Sequence, residues 1–524
     1  MERHGFESYF VVGEGLLAES GRGRQLSMAT TAPPFHFSRM GPSGAGRQLA
    51  DANLRKIAAA MTAGASSPAG GIPAGFTYLG QFIDHDLTFD KTTVMLGQNV
   101  SPAQMLQARS PSLDLDSLYG AGPGDPGSAK FYESDGLHLK MGDAIASGGA
   151  PALPKHDLPR AGTGSTNAAK RKAVIPDPRN DENLAVAQTH LAFIRFHNRV
   201  VDTLPAATPP AQKFALAREL VTKHYQWMIR SDFLRRICAA SVVNDVFTNG
   251  RKAFEVGAVP TDVPTMPIEF SVAAYRLGHS MIRAAYNWNR DFDNGTGDLQ
   301  YLFEFSGLSG NLGGSLKLAS NWVADFRRLY DFGEAGKANL TVPAAKFNHA
   351  RRIDTKVANP LHNLPSGTVG DPSIPDDDPR RNLAFRNLER GKMVKLATGQ
   401  QMIRFLKNKG IKVNGLTRAQ IRDGKGGASV GSLTATQRNA FLTNTPLWFY
   451  TLREAELNNG KLRGAGGRIF AETFHRAMEG SQFSIVRDTA FRPSFGPDNT
   501  TFRMVDLLLL AFEGNANLLN PLGN

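Results

Sequence analysis

Apolar and polar positions recur with a helical period between Gly75 and Asp90. The apolar members lie three or four positions apart and predict a helix with one buried stripe: Phe76, Leu79, Ile83 and Leu87. A second face collects polar side chains at the same spacing: Gln81, Asp84, His85 and Thr88. Asp86 points about a quarter turn away from His85. The simplest alternative is a core histidine flanked by two solvated aspartates.

The same period predicts further helices at 51–63, 267–284, 380–391, 437–459, 465–480 and 501–514. Another helix runs from Leu184 to Asn198, after the segment Arg179-Asn180-Asp181-Glu182-Asn183. Glu182 in that segment is also compatible with a plain capping role. Abundant glycine (53) and proline (30) predict long ordered loops between the helices. The chain is therefore expected to be mainly α-helical, with little β-structure.

Within the predicted helix at 267–284, His279 shares an apolar face with Val272, Tyr275 and Ile282. Gly278 lies beside it and lets a bulky, flat group approach the backbone. This pattern suits either a core histidine or a histidine that faces a bound planar group.

Oxygen-bearing side chains alternate along the predicted loop at 110–116, at Ser110, Ser112, Asp114 and Asp116. In an extended loop this spacing places them on one side, an arrangement that suits a hard cation such as Ca²⁺. The glycine and the terminal glutamate of an EF-hand loop are missing. An ordinary acidic turn is the alternative.

Composition narrows the function classes. The chain has 524 residues and a formal charge of +13, but its basic residues are scattered and no nucleic-acid-binding module is evident. The single cysteine, Cys238, excludes an internal disulfide framework and a cysteine-rich metal site. No apolar run reaches membrane-spanning length, and no secretory signal is evident at the N-terminus. Localisation is thus open between the cytoplasm and export by a signal-independent route.

Five elements occur in a fixed order along the chain: Gly80–Asp86, the loop at 110–116, Arg179–Asn183, Arg276–His279 and Asn387–Gly391. Their order and residue types resemble the animal-type haem peroxidases of the peroxidase–cyclooxygenase superfamily, in particular its bacterial members. The resemblance covers roughly residues 35–515. It implies one large all-α haem peroxidase domain at 35–524, preceded by an irregular N-terminal arm at 1–34.

The resemblance implies a role for each matching residue. His85 is the distal histidine, with Gln81 and Arg179 beside it in the distal cavity. His279 is the ligand of the haem iron, and Asn387 accepts a hydrogen bond from its other ring nitrogen. Asp84 and Glu182 match carboxylates that form ester bonds to haem b in many relatives, and Arg276 and Arg390 match partners of the propionates. Asp86 joins Ser110, Ser112, Asp114 and Asp116 as a calcium ligand.

Departures from the family pattern restrict the function. Asn183 follows Glu182 where one mammalian branch has a methionine linked to haem. The radical tyrosine of cyclooxygenases lies three residues before the iron ligand, where this chain has Arg276, so Tyr275 is expected to belong to the core. His190, His197 and His224 are assigned no role.

The function implied is reduction of hydrogen peroxide through a high-valent oxo-iron intermediate, with oxidation of small electron donors or halides, a chemistry linked to oxidative stress. The neutral imidazole of His85 is suited to move the peroxide proton, and Arg179 to stabilise the departing oxygen. Two alternatives are a fatty-acid dioxygenase on the same scaffold and a non-catalytic, calcium-stabilised binding module. The preferred donor and the choice between monomer and homodimer stay open.

Overall fold

The computed structural model describes residues 14–16, 35–64, 68–94, 96–364, 375 and 377–524. Helices dominate this part of the chain, as the sequence predicts, and strands are few and short. The described helices of eight or more residues are α1 Asp51–Thr62, α2 Gly75–Leu87, α3 Leu184–Thr203, α4 Pro210–Met228, α5 Ala240–Asn249, α6 Leu383–Met393, α7 Gly399–Asn408, α8 Ala435–Thr443, α9 Leu447–Glu456, α10 Gly464–Glu479 and α11 Met504–Ala511.

Shorter helices and two-stranded pairs fill the connections. The short α-helices are Asp116–Tyr119, Asn167–Arg171, Leu234–Ile237, Ile268–Ser271, Gly278–Met281, Leu299–Glu304, Arg418–Asp423 and Ala516–Leu519. Two strand pairs are parallel, Glu14–Leu16 with Asp90–Val94 and Phe37–Ser38 with Met266–Pro267. Three are antiparallel, Ala69–Pro73 with His349–Arg351, Gly142–Ala144 with Leu153–Asp157, and Ala285–Tyr286 with Gly297–Asp298. Apart from Glu14–Leu16, the N-terminal arm at 1–34 lies outside the described residues.

The predicted helix at 267–284 is wrong as a continuous element. It divides into Ile268–Ser271, a 3₁₀ turn at Ala274–Leu277 and Gly278–Met281. Phe270 and Tyr275 explain the division, because an unbroken helix would turn them about 140° apart. The kink lets both rings pack on Phe470, at centroid distances of 5.8 and 5.4 Å. Aromatic packing across the core therefore overrides the local helical period.

Proline explains a second difference. The segment at 437–459 forms two helices, α8 and α9, with Pro446 directly before the second one. Proline has no N–H to continue a helix and disfavours helical geometry in the residue before it. The predicted segments at 51–63 and 75–90 agree with α1 and α2 to within three residues.

Helix α2 is held in the centre of the molecule by α3. The rings of Phe82 on α2 and Phe193 on α3 stack with centroids 4.3 Å apart. At its start, Gly75 lies so close to Tyr330 that an added Cβ would be 2.2 Å from the ring. This packing fixes the orientation of the polar face that α2 presents to the cavity described next.

Candidate functional site

A cavity of about 810 Å³ lies between α2 and the divided segment that carries His279. This volume includes the part of the cavity that is open to solvent. One wall, called the distal wall below, contributes the predicted polar set: Gln81, Asp84, His85, Arg179 and Glu182. The opposite, proximal wall contributes Tyr275, Arg276, Gly278 and His279. The structure thus brings together residues that lie almost 200 positions apart in the sequence.

On the distal wall, His85 is buried and neutral. Burial, reinforced by the charge of Arg179, lowers the pKa of its ring to about 3. Its Nδ1–H donates to Asn180 Oδ1 at 2.9 Å, which leaves the lone pair on Nε2. That nitrogen lies 3.4 Å from Glu182 Oε1. A neutral imidazole with its lone pair on the cavity side has the form that a general base requires.

Glu182 is a fully buried acid. Gln81 Nε2 donates to its Oε1 at 2.5 Å, and Asn183 Nδ2 in turn donates to Gln81 Oε1 at 2.9 Å. Burial raises the pKa of Glu182 well above its usual value, although Arg179 opposes the shift. Its Oε2 has no hydrogen-bond partner among the described residues. An orphaned buried oxygen of this kind indicates that another group belongs beside it.

Arg179 is anchored by a carboxylate that the sequence patterns did not single out. Its Nε and Nη2 donate to the two oxygens of Asp177 at 3.0 and 2.7 Å, and Nη2 also donates to the His85 carbonyl at 2.9 Å. Burial raises the pKa of Asp177, but the charges of Arg179 and Arg109 outweigh it and hold this pKa below its usual range. The guanidinium further lies 4.1 Å from the centre of the Phe89 ring. Arg179 is therefore a fixed positive charge at the distal wall.

Asp84 also lines the cavity. Its Oδ1 accepts from Thr88 Oγ1 at 3.1 Å, within the same turn of α2. Burial raises the pKa of its carboxyl, against the charges of Arg276 and Arg179. The half-buried Asp84 and the fully buried Glu182 are thus two acids with raised pKa at one cavity.

On the proximal wall, Asn387 lies beside His279, but the hydrogen bond between them runs in the direction opposite to the one that the resemblance implies. Asn387 belongs to α6, and its Nδ2 donates to His279 Nδ1 at 2.8 Å. Turning the amide over would exchange Nδ2 for Oδ1, so that Nδ1 becomes the donor. Burial and the charge of Arg276 lower the pKa of His279 well below its usual value. A neutral imidazole is the form that binds a metal.

Tyr275 lies in both the core and the cavity wall. Its ring stacks on Phe470, as expected for a core residue. However, it also lines the cavity, and its hydroxyl donates to the Gly80 carbonyl of α2 at 2.8 Å. Tyr275 therefore bridges the two walls.

The two predicted propionate partners are placed differently. Arg276 lines the cavity, and its Nε donates to the Ser271 carbonyl at 2.9 Å. Arg390 on α6 lies outside the cavity lining, where its Nη2 pairs with Asp90. Its Nη1 is buried and makes no hydrogen bond among the described residues.

The predicted calcium loop lies against the outer side of α2. Asp86 accepts from the backbone N–H groups of Leu115 and Ser117 at 3.2 and 3.3 Å. Asp114 accepts from Ser481 Oγ at 2.6 Å, and Asp116 pairs with Arg218 at 3.4 Å. Ser112 Oγ donates to the Gly480 carbonyl, and Ser110 Oγ accepts from the Ser112 N–H.

The carboxylates of this loop repel the carboxylate of Asp86. Burial, together with the charge of Asp116, raises the pKa of Asp86 to about 7. A cation between these carboxylates would relieve that repulsion. Even so, no cluster of three or more histidine, cysteine or acidic side chains suited to a metal ion occurs in the part of the chain that the structure describes. The loop carboxylates instead accept hydrogen bonds from protein donors.

Sequence reasoning missed Asn180 and Asp177 and assigned His190 no role. Asp177 carried a usable signal, since an acid two residues before a buried arginine can cap the turn and pair with it. Its side chain does both, accepting from the Arg179 N–H at 3.0 Å. Nothing in the helical period marked Asn180 or His190, because the contact of Asn180 with His85 and that of His190 with Asn180 depend on how the chain packs around α2 and α3.

Part of the chain is similar in sequence to known proteins. Residues 94–303 match the model of the family described as animal haem peroxidase. Thyroid peroxidase of Mus musculus is 27% identical over 203 residues, which cover 37% of this chain and 22% of that protein. Residues 94–303 are therefore similar to the animal haem peroxidase family, and the chain spans about a fifth of the length of the thyroid peroxidase that it matches. The matched stretch includes Arg179 and His279, whereas His85 and Asn387 lie outside it.

Solved structures share the fold. Peroxidase A from Dictyostelium discoideum aligns with a TM-score of 0.54 at 15% identity, over 99% of this chain and 98% of that one. Fatty acid alpha-dioxygenase of Arabidopsis thaliana aligns with a TM-score of 0.52 at 12% identity, over 92% and 78%. None of the described helices is long and apolar enough to span a membrane.

Proposed function

We propose that the chain is a haem-dependent peroxidase that reduces hydrogen peroxide and oxidises small electron donors or halides. The observation that carries this proposal is the single cavity with His279 on one wall and His85, Arg179 and Gln81 on the other. Peroxide cleavage needs a proton acceptor and a fixed positive charge on the same side of the iron. The distal wall supplies both.

The residues present fit haem b. His279 offers a neutral imidazole, and Gly278 leaves open space where any other residue would place a Cβ. Asp84 and the unpartnered Oε2 of Glu182 fit ester bonds to its methyl groups, and Arg276 fits a propionate. When bound, haem supplies an iron that exchanges electrons with peroxide and donor.

The protein contributes proton handling and orientation. His85 Nε2 accepts the proton from peroxide and returns it to the leaving oxygen. Arg179, held by Asp177, stabilises the charge that develops on that oxygen without having to reorient. Gln81 is itself held by Glu182 and Asn183, so it presents a fixed amide to the cavity.

We also propose calcium at the loop that contacts Asp86, through Ser110, Ser112, Asp114 and Asp116. The pKa of Asp86, which is raised to about 7, supports the proposal that a positive charge belongs beside this carboxylate. Bound calcium would fix α2 and with it His85, the residue directly before Asp86 in the sequence. Chelation should therefore lower the melting temperature, and added Ca²⁺, but not equimolar Mg²⁺, should restore it.

The decisive experiment is absorption spectroscopy of protein expressed with a haem supply, followed by a panel of donors with peroxide. We expect a Soret band and peroxide-dependent oxidation of at least one of iodide, bromide, thiocyanate and a phenol. No Soret band would refute the proposal. Acid–acetone extraction after peroxide treatment tests the ester bonds, and Asp84→Asn with Glu182→Gln should convert retained haem into extractable haem.

A fatty-acid dioxygenase is the second candidate, and Tyr275 is the observation that favours it. This tyrosine lines the cavity even though its spacing from His279 differs from the cyclooxygenase pattern. The fold shared with the Arabidopsis alpha-dioxygenase agrees with this candidate. Oxygen uptake with a long-chain fatty acid, lost in Tyr275→Phe, would favour it over the peroxidase.

A further inference from the structure

A chain of hydrogen bonds leads from His85 away from the cavity into the core. His85 Nδ1 lies 2.9 Å from Asn180 Oδ1, and Asn180 Nδ2 lies 2.9 Å from His190 Nδ1. Asn180 and His190 are both fully buried. Two further groups contact His85: Glu182 Oε1 lies 3.4 Å from Nε2, the other nitrogen that can carry the ring proton, and Arg179 donates to the backbone carbonyl.

The chain has a fixed direction, because the two ends of an amide are chemically different. The amide oxygen only accepts and the amide nitrogen only donates. His190 Nδ1 must therefore accept, so the proton of this ring is on Nε2. On the other side, His85 must carry its proton on Nδ1, which leaves the lone pair of Nε2 towards the cavity.

The reverse orientation would exchange both tautomers. With the amide turned over, Asn180 would donate to His85 Nδ1 and move the proton of that ring to Nε2. The base of the distal wall would then have no lone pair on the cavity side. Turning over an amide that contacts only His85 would change the tautomer of one ring, whereas turning over Asn180 would require His85 and His190 to change tautomer together.

We propose that Asn180 and His190 act as positioning residues that set the tautomer of His85. Asn180 accepts the Nδ1 proton, and His190 locks the orientation of the amide. His190 is itself held by packing, since its ring lies edge-on to Phe82 at 5.7 Å. The role in catalysis rests on the proposed peroxidase function, whereas the tautomer is a property of the protein alone.

Ring-nitrogen NMR of selectively ¹⁵N-histidine-labelled protein tests the tautomer. Protein that carries haem is measured in the diamagnetic ferrous carbonyl state, and haem-free protein is measured as purified. We expect His85 to be protonated on Nδ1 in the wild type and in Asn180→Asp, which keeps the acceptor. In Asn180→Leu and His190→Phe we expect a substantial fraction protonated on Nε2.

Kinetics of the reaction with peroxide provide the second readout. General acid–base catalysis contributes about 10²–10⁴-fold to a rate, so we expect a partial loss, of about 10-fold or more, in Asn180→Leu and His190→Phe and near-wild-type rates in Asn180→Asp. The matched control is His197→Phe, another fully buried histidine on α3, which bonds to Tyr119 and the Leu137 carbonyl instead. It should leave both the rate and the His85 signals unchanged.

Two results would overturn the proposal: a wild-type His85 protonated on Nε2, or a folded His190→Phe variant with wild-type tautomer and rate. Folding of each variant is checked by its melting temperature. Absence of a Soret band would refute the peroxidase instead, and the tautomer would still be read from the haem-free protein.

Discussion

Each wall of the cavity has a histidine with an asparagine behind it, but the two asparagines are held differently. On the distal wall, Asn180 bonds to His85 through its oxygen and to His190 through its nitrogen. On the proximal wall, the side chain of Asn387 makes one hydrogen bond among the described residues, to His279. Turning over Asn180 would require two rings to change tautomer, whereas turning over Asn387 would require only His279 to change. Under the proposed function, the base would thus be held more firmly in one tautomer than the iron ligand.

The largest expected effect is on the proximal wall. His279→Ala should abolish stable haem binding, because under the proposed function it removes the nitrogen that would bind the iron. The measurement is Soret absorbance per protein after desalting. His475→Ala is the control, since it also truncates a buried histidine but lies outside the cavity lining. A full Soret band in His279→Ala would show that another residue binds the iron.

Removal of the distal histidine should separate haem binding from the reaction with peroxide. His85→Ala is expected to keep haem but to react with peroxide about 10²–10⁴-fold more slowly, as is typical when a general base is lost. Stopped-flow spectroscopy measures this rate. Equal rates in the variant and the wild type would mean that His85 does not move the proton, and the contrast between the walls would disappear.

The third prediction concerns the stability of the distal network. Asp177→Asn leaves Arg179 and Arg109 without their shared buried counter-charge, and should cost roughly 3–5 kcal/mol of unfolding free energy. Denaturant unfolding measures the loss. Asp423→Asn removes an exposed aspartate paired with Arg422 and should change stability little. Equal effects of the two substitutions would show that burial of the network contributes nothing.

Acid should destabilise the protein by a smaller amount. Burial lowers the pKa of His190 to about 3, and that of His197, His224 and His475 to about 4. Because these folded values lie below the unfolded value near 6.5, the unfolded chain takes up more protons as pH falls. Between pH 7 and pH 6 the loss is about 0.7 kcal/mol for each, or roughly 3 kcal/mol together.

Thermal unfolding across this pH range checks the prediction, and stability that is constant or rises as pH falls would contradict it. His138 is the internal contrast. Although partial burial opposes the shift, contacts with Asp135 and Asp202 raise the pKa of His138. Its contribution to stability is therefore retained at acid pH and lost above its folded pKa. Of the four buried histidines His190, His197, His224 and His475, His190 alone belongs to the distal network. If all four contribute the same loss of stability, burial alone accounts for the effect.

The distal helix was predictable because its evidence is local. The stripe from Phe76 to Leu87 and the polar face with Gln81 and His85 follow from spacing within thirteen residues. The proximal segment was not predictable in this way. Its kink at Ala273 depends on packing against Phe470, which lies about 200 positions away along the chain. The predicted face shared by His279 and Val272 assumed one continuous helix.

The site was predictable as far as the resemblance provided it. His85, Arg179 and His279 were expected to converge, and the cavity brings them together. Asn180 and His190 were out of reach, because an asparagine in a turn and a histidine in a buried helix are common features with no spacing of their own. Their contacts exist only once α2 and α3 are packed.

Gly278 gives the cavity an independent control. A Cβ built on this residue meets no atom within 4 Å, and its φ of −53° suits any L-amino acid. Replacing it with valine should therefore leave the melting temperature of the haem-free protein almost unchanged, while the new methyl groups occupy space next to the iron ligand. This one substitution should thus block cofactor uptake without affecting folding. The variant would serve as a haem-free reference protein in which every polar group of the distal wall is intact.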